Sequence, residues 1–249
     1  MKFSVVIPAF NEVRIIRKNA RMVIDAMRKR GYDFELIVAE DGSTDGTDVA
    51  ARQLAREIPE LRHLHFERRL GKGLALKRAL LDGRGDILMF MDADLATSLQ
   101  HLPELVDAVL GGSDVVIGSR YIKGSKLKMP TNRFVVAQIY NYLIRLLFQD
   151  GIRDHQCGFK AFRRDALMDI LEEVEDNWFF FDTELLIRAK KMGYKVSELP
   201  VDWREPRERI STFRLFRDGL RMGGKLFWLR IKLWWARIRG KARRRRRTV

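Results

Sequence analysis

Strand-length apolar runs alternate with amphipathic segments over the first 118 residues of this chain. Residues 3–7, 34–39, 61–66, 86–91 and 114–118 are rich in Val, Ile, Leu, Met and Phe. Between them lie segments of helical period. In 12–29 the apolar positions are Ile15, Ile16, Ala20, Val23, Ile24 and Met27, and 44–58, the stretch ending at Leu81, and 102–110 complete the series. Apolar strands joined through single helices need parallel pairing and cover on both faces. The expected fold class is α/β: a Rossmann-like, mostly parallel sheet with helices on both sides. Pro8 is expected to stop the first strand, and Thr44 or Asp45 to cap the second helix.

Sheets of this kind bind ligands beyond the carboxyl ends of their strands. Polar clusters fall at that edge. Glu12 follows Pro8-Ala9-Phe10-Asn11, Glu40 and Asp41 close the second run, and Asp92-Ala93-Asp94 follows the fourth. Two carboxylates flanking one small residue repel each other unless a cation lies between them. A hard divalent ion suits them, because Mg²⁺ or Mn²⁺ takes oxygen ligands together with substrate phosphates. Such an ion neutralises a diphosphate leaving group. Glu40 or Asp41 can accept a hydrogen bond from a base or a ribose, while Ser43, Thr44 and Asp45 suit a helix cap. Gly71-Lys72-Gly73 lets backbone approach phosphate or simply turns into a helix. It is not a Walker loop. Arg120 and Arg133 suit phosphate clamping, or equally surface ion pairs. Cys157 lacks a second cysteine at metal-ligand spacing and reads as a small buried thiol.

Beyond Met129 the alternation loosens. Residues 132–148 read as an apolar helix, 154–162 as a mixed loop, 179–192 as a helix and 195–200 as a strand. Residues 204–212 read as a mobile basic loop. The net charge of +15 is concentrated at the C-terminus, where residues 214–249 hold fourteen Lys and Arg against Asp218 alone. In 213–239, Phe216, Leu220, Phe227, Trp234 and Ile238 share one helical face, with Leu226, Leu229 and Leu233 expected to widen it. Interleaved cations and Trp228, Trp234 and Trp235 describe an interfacial amphipathic helix. The Arg243–Arg247 run adds attraction to anionic lipid and is expected to be disordered. No signal peptide and no spanning helix are expected. The expected domains are a catalytic domain over 1–212, amphipathic interfacial helices over 213–240 and a basic disordered tail over 241–249.

Taken in order, the motifs at 6–12 (Val-Ile-Pro-Ala-Phe-Asn-Glu), 40–47 (Glu-Asp-Gly-Ser-Thr-Asp-Gly-Thr), 71–73, 92–94 and 118–120 (Gly-Ser-Arg) resemble glycosyltransferase family 2. Within it the chain is similar to enzymes that glycosylate dolichyl phosphate. The segments 151–160, 178–186 and 199–203 are most similar to the β-glucosyltransferases among them. The resemblance implies a GT-A fold and inverting transfer of a hexose, glucose from UDP-glucose first and mannose from GDP-mannose second, onto a dolichyl or polyprenyl phosphate. It implies a nucleotide-sugar pocket of Pro8, Phe10, Glu12, Ala39, Glu40, Asp41, Lys72, Asp92, Ala93, Asp94, Asp154 and Gln156. Asp92 and Asp94 would hold Mg²⁺ or Mn²⁺. Asp94, Arg120, Arg133 and Asp182 would serve catalysis, with Arg120, Arg133, Arg207 and Arg209 on the acceptor phosphate. Relatives often place Gln where this chain has Ala96, so ligation would rest on Asp92, Asp94, phosphates and water. The expected location is the cytoplasmic face of a membrane, bound peripherally to its anionic surface.

Two rivals follow from single features. The arginine tail alone suits a nucleic-acid-binding module, although no nucleic-acid partner is expected here. The fold and metal alone suit a nucleotidyltransferase, but a basic triphosphate loop near the N-terminus is missing.

Overall fold

The computed structural model describes residues 1–205 and 215–247, and side chains within the last helix only from 217 to 235. The chain divides into two compact units, Met1–Met129 with Ile152–Ile210, and Pro130–Gly151 with Ser211–Val249. The expected division at 212 and 213 has no counterpart for the segment around 130–151, which groups with the C-terminal helix.

The larger unit is built on a seven-stranded mixed sheet. Its strands are β1 (Lys2–Ala9), β2 (Asp33–Asp41), β3 (Leu61–Phe66), β4 (Ile87–Met91), β5 (Val115–Ser119), β7 (Phe159–Arg163) and β8 (Val196–Pro200), in the order β3-β2-β1-β4-β7-β5-β8. Two short strands, β6 (Lys126–Lys128) and β9 (Asp202–Arg204), pair in parallel beside it. β1 to β4 are mutually parallel, and β7 runs antiparallel between β4 and β5. This is the mostly parallel, helix-covered sheet the apolar runs imply.

The helices are α1 (Ile16–Lys29), α2 (Thr47–Glu57), α3 (Lys72–Asp82), α4 (Leu102–Leu110), α6 (Arg164–Glu173) and α7 (Phe181–Met192). Each closes one face. Ile16, Ala20, Val23, Ile24 and Met27 of α1 pack with Val5, Ile7, Leu36 and Val38 on one side, joined by α2 and α4. Leu76, Ala79 and Leu80 of α3 pack with Val6, Ile37 and Ala39 on the other, joined by α6 and α7. Successive strand residues feed opposite cores, the period-2 consequence of the pleat.

Some expectations are corrected. Pro8 does not end β1; it pairs in register with Ala39. β4 pairs β1 only from Phe3 to Val6. At Pro8 the strand is therefore one-sided, and a missing N–H is tolerated. Helix α2 starts at Thr47 after Gly46 in the left-handed region (φ 95°), without a side-chain cap. Asp45 instead accepts bonds from Thr47 N and Val13 N, tying the loop to the preceding one. The expected loop over 154–162 contains most of β7.

In the smaller unit α5 (Thr131–Phe148) and α8 (Leu215–Arg247) pack together, burying Asn141, Ile144 and Phe148 with Met222, Leu226 and Leu229. Leu226 and Leu229 thus face inward rather than widening the exposed stripe. Phe227, Trp228, Ile231, Trp234 and Trp235 occupy the opposite, exposed arc. Among the described residues no helix is long and apolar enough to cross a membrane.

Candidate active site

β1 and β4 are neighbours although β2 and β3 precede β4 in sequence, so the chain reverses direction across the sheet between them. In open α/β sheets such a switch point is where ligand-binding crevices form, beyond the carboxyl ends of β1 and β4. The loop after β1 carries Phe10, Asn11 and Glu12. Asn11 adopts φ 56° and exchanges bonds with the loop after β2: its N–H donates to Ser43 Oγ (2.9 Å) and its Oδ1 accepts from Thr44 N (2.9 Å). Glu12 is buried, and its N–H donates to Thr47 Oγ1.

The adjacent acids Glu40 and Asp41 meet different surroundings. Glu40 is fully buried, accepts from Ser43 N, and lies 2.6 Å from His65 Nδ1. Asp41 accepts from Leu70 N (2.6 Å) and Gly71 N (3.0 Å), fixing the turn into α3. Burial pushes the Asp41 carboxyl above its ordinary range, against the opposing pull of those amides and of Arg69. Gly71 has φ 103°, and a Cβ there would lie 2.3 Å from Asn177 O, so only glycine fits this entry. The guanidinium of Arg69 lies 3.8 Å from the Phe10 ring centroid and 5.2 Å from that of Trp178. An aromatic and cationic slot of this kind suits a planar base. Ala39 is fully buried under α3, and Pro8 is partly exposed at the strand end.

The turn after β4 holds the aspartates. Asp92 N donates to Gly158 O, Leu95 N donates to Asp92 O, and Ala96 N donates to Asp94 Oδ1. Ala93 is buried, and its carbonyl accepts from Asn19 Nδ2. Lys72 Nζ lies 2.8 Å from Asp92 Oδ1 and 3.5 Å from Asp182 Oδ2, and Lys160 contacts the other oxygen of Asp182. The result is an alternating chain Lys160, Asp182, Lys72, Asp92, with Lys160 and Asp182 nearly inaccessible. The Lys72 ammonium holds cationic charge against Asp92, a charge of the sign that a hard divalent ion would bring to oxygen ligands there. Gly158 makes room: a Cβ there would lie 2.1 Å from Asp92 Oδ2.

Arg120 and Asp154 prove to be each other's partners. Arg120 Nε donates to Asp154 Oδ2 (2.6 Å), and Nη2 donates to Oδ1 (2.8 Å). Burial alone would raise the Asp154 pKa, but the Arg120 charge and hydrogen bonds hold it below the usual carboxylate range. Gln156 Nε2 donates to Thr183 Oγ1 beside Asp182. Cys157 is buried, and burial pushes its thiol up to about 12, which fits an unreactive core group.

Next to Asp94 opens a cavity of about 670 Å³, lined also by Ala96, Trp203, the cations Lys126, Lys128 and Arg204 and the acids Asp202 and Glu205, with Lys126 Nζ 3.4 Å from Asp202 Oδ2. Its three cations, like Gly158, Arg69 and Lys160, were not expected from the sequence. Arg133 lies in the first turn of α5, in the smaller unit. Arg207 and Arg209 lie outside the described residues.

Residues 4–171 match the profile described as Glycosyl transferase family 2. Glycosyltransferase AglD of Haloferax volcanii is 43% identical over 238 residues, covering 94% of this chain and 37% of that protein. The dolichyl-phosphate β-glucosyltransferase of Saccharomyces cerevisiae is 31% identical, over 92% of this chain and 74% of its own length. The polyprenol monophosphomannose synthase of Mycolicibacterium smegmatis is 33% identical, over 83% and 79% respectively. This chain thus spans little more than a third of AglD. Among solved structures, glucosyl-3-phosphoglycerate synthase of Mycobacterium tuberculosis, in complex with Mn²⁺, UDP and phosphoglyceric acid, superposes with a TM-score of 0.64. The match is at 25% identity, over 84% of this chain and 72% of that one. By the profile match over two thirds of its length and by these relatives, the chain belongs to glycosyl transferase family 2.

Proposed function

We propose that this protein transfers a hexose, glucose from UDP-glucose first, onto a dolichyl or polyprenyl phosphate at a membrane surface. The observation that carries the reading is the Asp92–Lys72 contact beyond the carboxyl end of β4, with Asp94 bordering a cavity that also holds Lys126, Lys128 and Arg204 beside the acids Asp202 and Glu205. It is supported by the relatives named for dolichyl-phosphate glucosylation and by the UDP and Mn²⁺ of the solved neighbour.

Asp92 and Asp94 would hold Mg²⁺ or Mn²⁺, which when bound supplies positive charge to a departing diphosphate. The Phe10, Arg69 and Asp41 slot would take the base. Lys72 would move from Asp92 toward donor phosphate, kept in reach by Asp182, whose other oxygen is held by Lys160. Lys128 and Arg204, with Lys126 if it leaves Asp202, would draw an anionic acceptor to the Asp94 side; Arg133, Arg207 and Arg209 are further candidates, and Arg120 would serve only by giving up Asp154. A phosphate monoester is largely ionised at neutral pH, so it attacks the anomeric carbon without a strong base. The chain's contribution is alignment of two anionic reactants and fixed charge.

The exposed Phe227, Trp228, Ile231, Trp234 and Trp235, beside Lys232 and Arg230, would seat α8 in the lipid interface, making the protein peripheral. The expected side is the cytoplasmic face. A mannosyl reading with GDP-mannose is favoured by one observation, the 33% identity to a polyprenol monophosphomannose synthase. The test is incubation with Mg²⁺ or Mn²⁺, labelled UDP-glucose or GDP-mannose, and dolichyl or polyprenyl phosphate in vesicles. Lipid-linked glucose is expected. Lipid-linked mannose alone selects the second reading, and no lipid product with either donor overturns both.

A further inference from the structure

The carboxyl ends of β2 and β3 carry a cluster of which only Glu40 was expected in the nucleotide pocket, and there Glu40 is held by Ser43 N and His65. Glu40, His63 and His65 can each present one donor atom such that all three lie within 4.8 Å of one another. The arrangement follows from register. Glu40 pairs with His65 and Val38 with His63, so a His-x-His on the edge strand lies alongside a carboxylate on its neighbour. His65 Nδ1 is already 2.6 Å from Glu40 Oε2. His63 Nε2 is buried and has no hydrogen-bond partner among the described residues. A ring nitrogen shut away from water without a partner is costly, and such groups call for an explanation. Burial also pushes the His63 imidazole below its ordinary pKa. Asp48 and Arg52 of α2 also act on His63, and they are paired with each other.

We propose that Glu40, His63 and His65 form a binding site for one late first-row transition-metal ion, Zn²⁺ foremost. Two imidazoles and one carboxylate are a borderline-soft donor set that suits Zn²⁺ and its neighbours rather than Mg²⁺. Zinc takes such ligands at about 2.0–2.2 Å, so the His63 donor must close by a side-chain rotation while the Glu40–His65 contact opens slightly. Three protein ligands leave a fourth position for water on the open side of the edge strand. The site is distinct from Asp92 and Asp94, because β3 and β4 lie three strand spacings apart, about 14 Å. An ion there cross-links β3 to β2 one residue before Asp41, whose carboxylate holds the Leu70 and Gly71 amides. Occupancy therefore stiffens the base-side wall of the crevice.

The experiment is Zn²⁺ titration of the tag-free full chain in excess Mg²⁺, by calorimetry and by competition with a chromophoric chelator, with thermal unfolding alongside. Wild type and the Asp92→Asn/Asp94→Asn variant are expected to bind one equivalent and to gain Tm with zinc. The His63→Ala/His65→Ala variant is expected to bind none and to gain no Tm. If that variant fails to fold, the single His65→Gln change, at a half-exposed side chain, is expected to weaken Zn²⁺ at least tenfold with unchanged circular dichroism. No Zn²⁺ bound to wild type at micromolar metal, or equal Zn²⁺ affinity in wild type and the histidine variants, overturns the proposal.

Discussion

Lys72 Nζ sits 2.8 Å from Asp92 Oδ1, so a side-chain cation already stands where the proposed reaction calls for a divalent one. The two cations compete for one carboxylate. Replacing Lys72 by Met removes the competitor and, with it, a donor to phosphate. The pair is partly exposed and worth roughly 1 kcal/mol or less, so Mn²⁺ affinity should rise a few-fold, by about fivefold at most. Turnover should fall at the same time. Mn²⁺ titration by electron paramagnetic resonance, beside steady-state kinetics, checks both. Unchanged Mn²⁺ affinity would separate Lys72 from the metal site.

Asp94 tests the enzyme proposal directly. Its Oδ1 accepts from Ala96 N, a local bond whose loss costs little stability. Asp94→Ala is expected to lower turnover by about 10³-fold or more, a loss comparable to deleting a principal electrostatic contact. Its circular dichroism and Tm should match wild type. Near-normal turnover, or undiminished activity in excess chelator, would refute the role given to this pair.

Gly158 belongs to the same site by shape alone. A methyl group there would come within 2.1 Å of Asp92 Oδ2 and about as close to its carboxyl carbon, so the carboxylate must swing away. Gly158→Ala is therefore expected to weaken Mn²⁺ binding and cut kcat by about 10²-fold, as a small misplacement of a catalytic group can. A variant that kept both values would show that Asp92 can relocate freely.

The sequence carried the sheet well and parts of the site poorly, for physical reasons. Apolar runs at β1, β2, β4 and β5 stand alone in sequence because those strands are buried on both faces, whereas β3, at the sheet edge, is buried fully only at Leu61. β7 was obscured because Lys160 interrupts its apolar pattern. That lysine is inaccessible, and Asp182, 22 positions away, compensates it. A one-dimensional reading sees the charge and misses its partner. Pro8 looked like a stop because strand edges are invisible before pairing is known. Asp92 and Asp94 were legible because two acids after an apolar strand are anomalous locally. Gly158 was not, since its significance is a close approach to a residue 66 positions earlier. In α8 the leucines 226 and 229 and the exposed tryptophans are all apolar. Only packing against α5 assigns them to opposite faces.

The exposed aromatic arc of α8 predicts where vesicle binding resides. Trp228, Trp234 and Trp235 are 57%, 49% and 51% exposed, so truncating them leaves the packed face of Met222, Leu226 and Leu229 untouched. Changing all three to Ala should reduce binding to anionic vesicles at least about tenfold, since each interfacial aromatic buries substantial apolar area. Its Tm should barely move. Sedimentation with vesicles, repeated at high salt, separates the apolar contribution from that of the basic residues. Equal binding by the variant would assign attachment to charge alone.

The Arg120–Asp154 pair predicts a change in the sign of acid sensitivity. In the folded protein the Asp154 carboxyl is held below its unfolded value: burial is the largest single influence and raises it, but the Arg120 charge and hydrogen bonds, with Lys160, together outweigh burial. Its contribution to stability is therefore complete above the unfolded pKa of about 3.9 and is lost as pH falls below that value toward the folded pKa. Arg120→Met strands a buried carboxylate and should destabilise by about 3–5 kcal/mol at neutral pH. In that variant only the backbone N–H of residue 120 and the Lys160 charge still oppose burial, so the folded carboxyl is expected to rise above its unfolded value, and protonation then favours the native state. Acidifying from pH 7 toward 5 should then narrow the stability gap to wild type. Urea unfolding of both proteins across that range measures it. A gap that stays constant or widens on acidification would show that Asp154 finds another positive partner once Arg120 is gone.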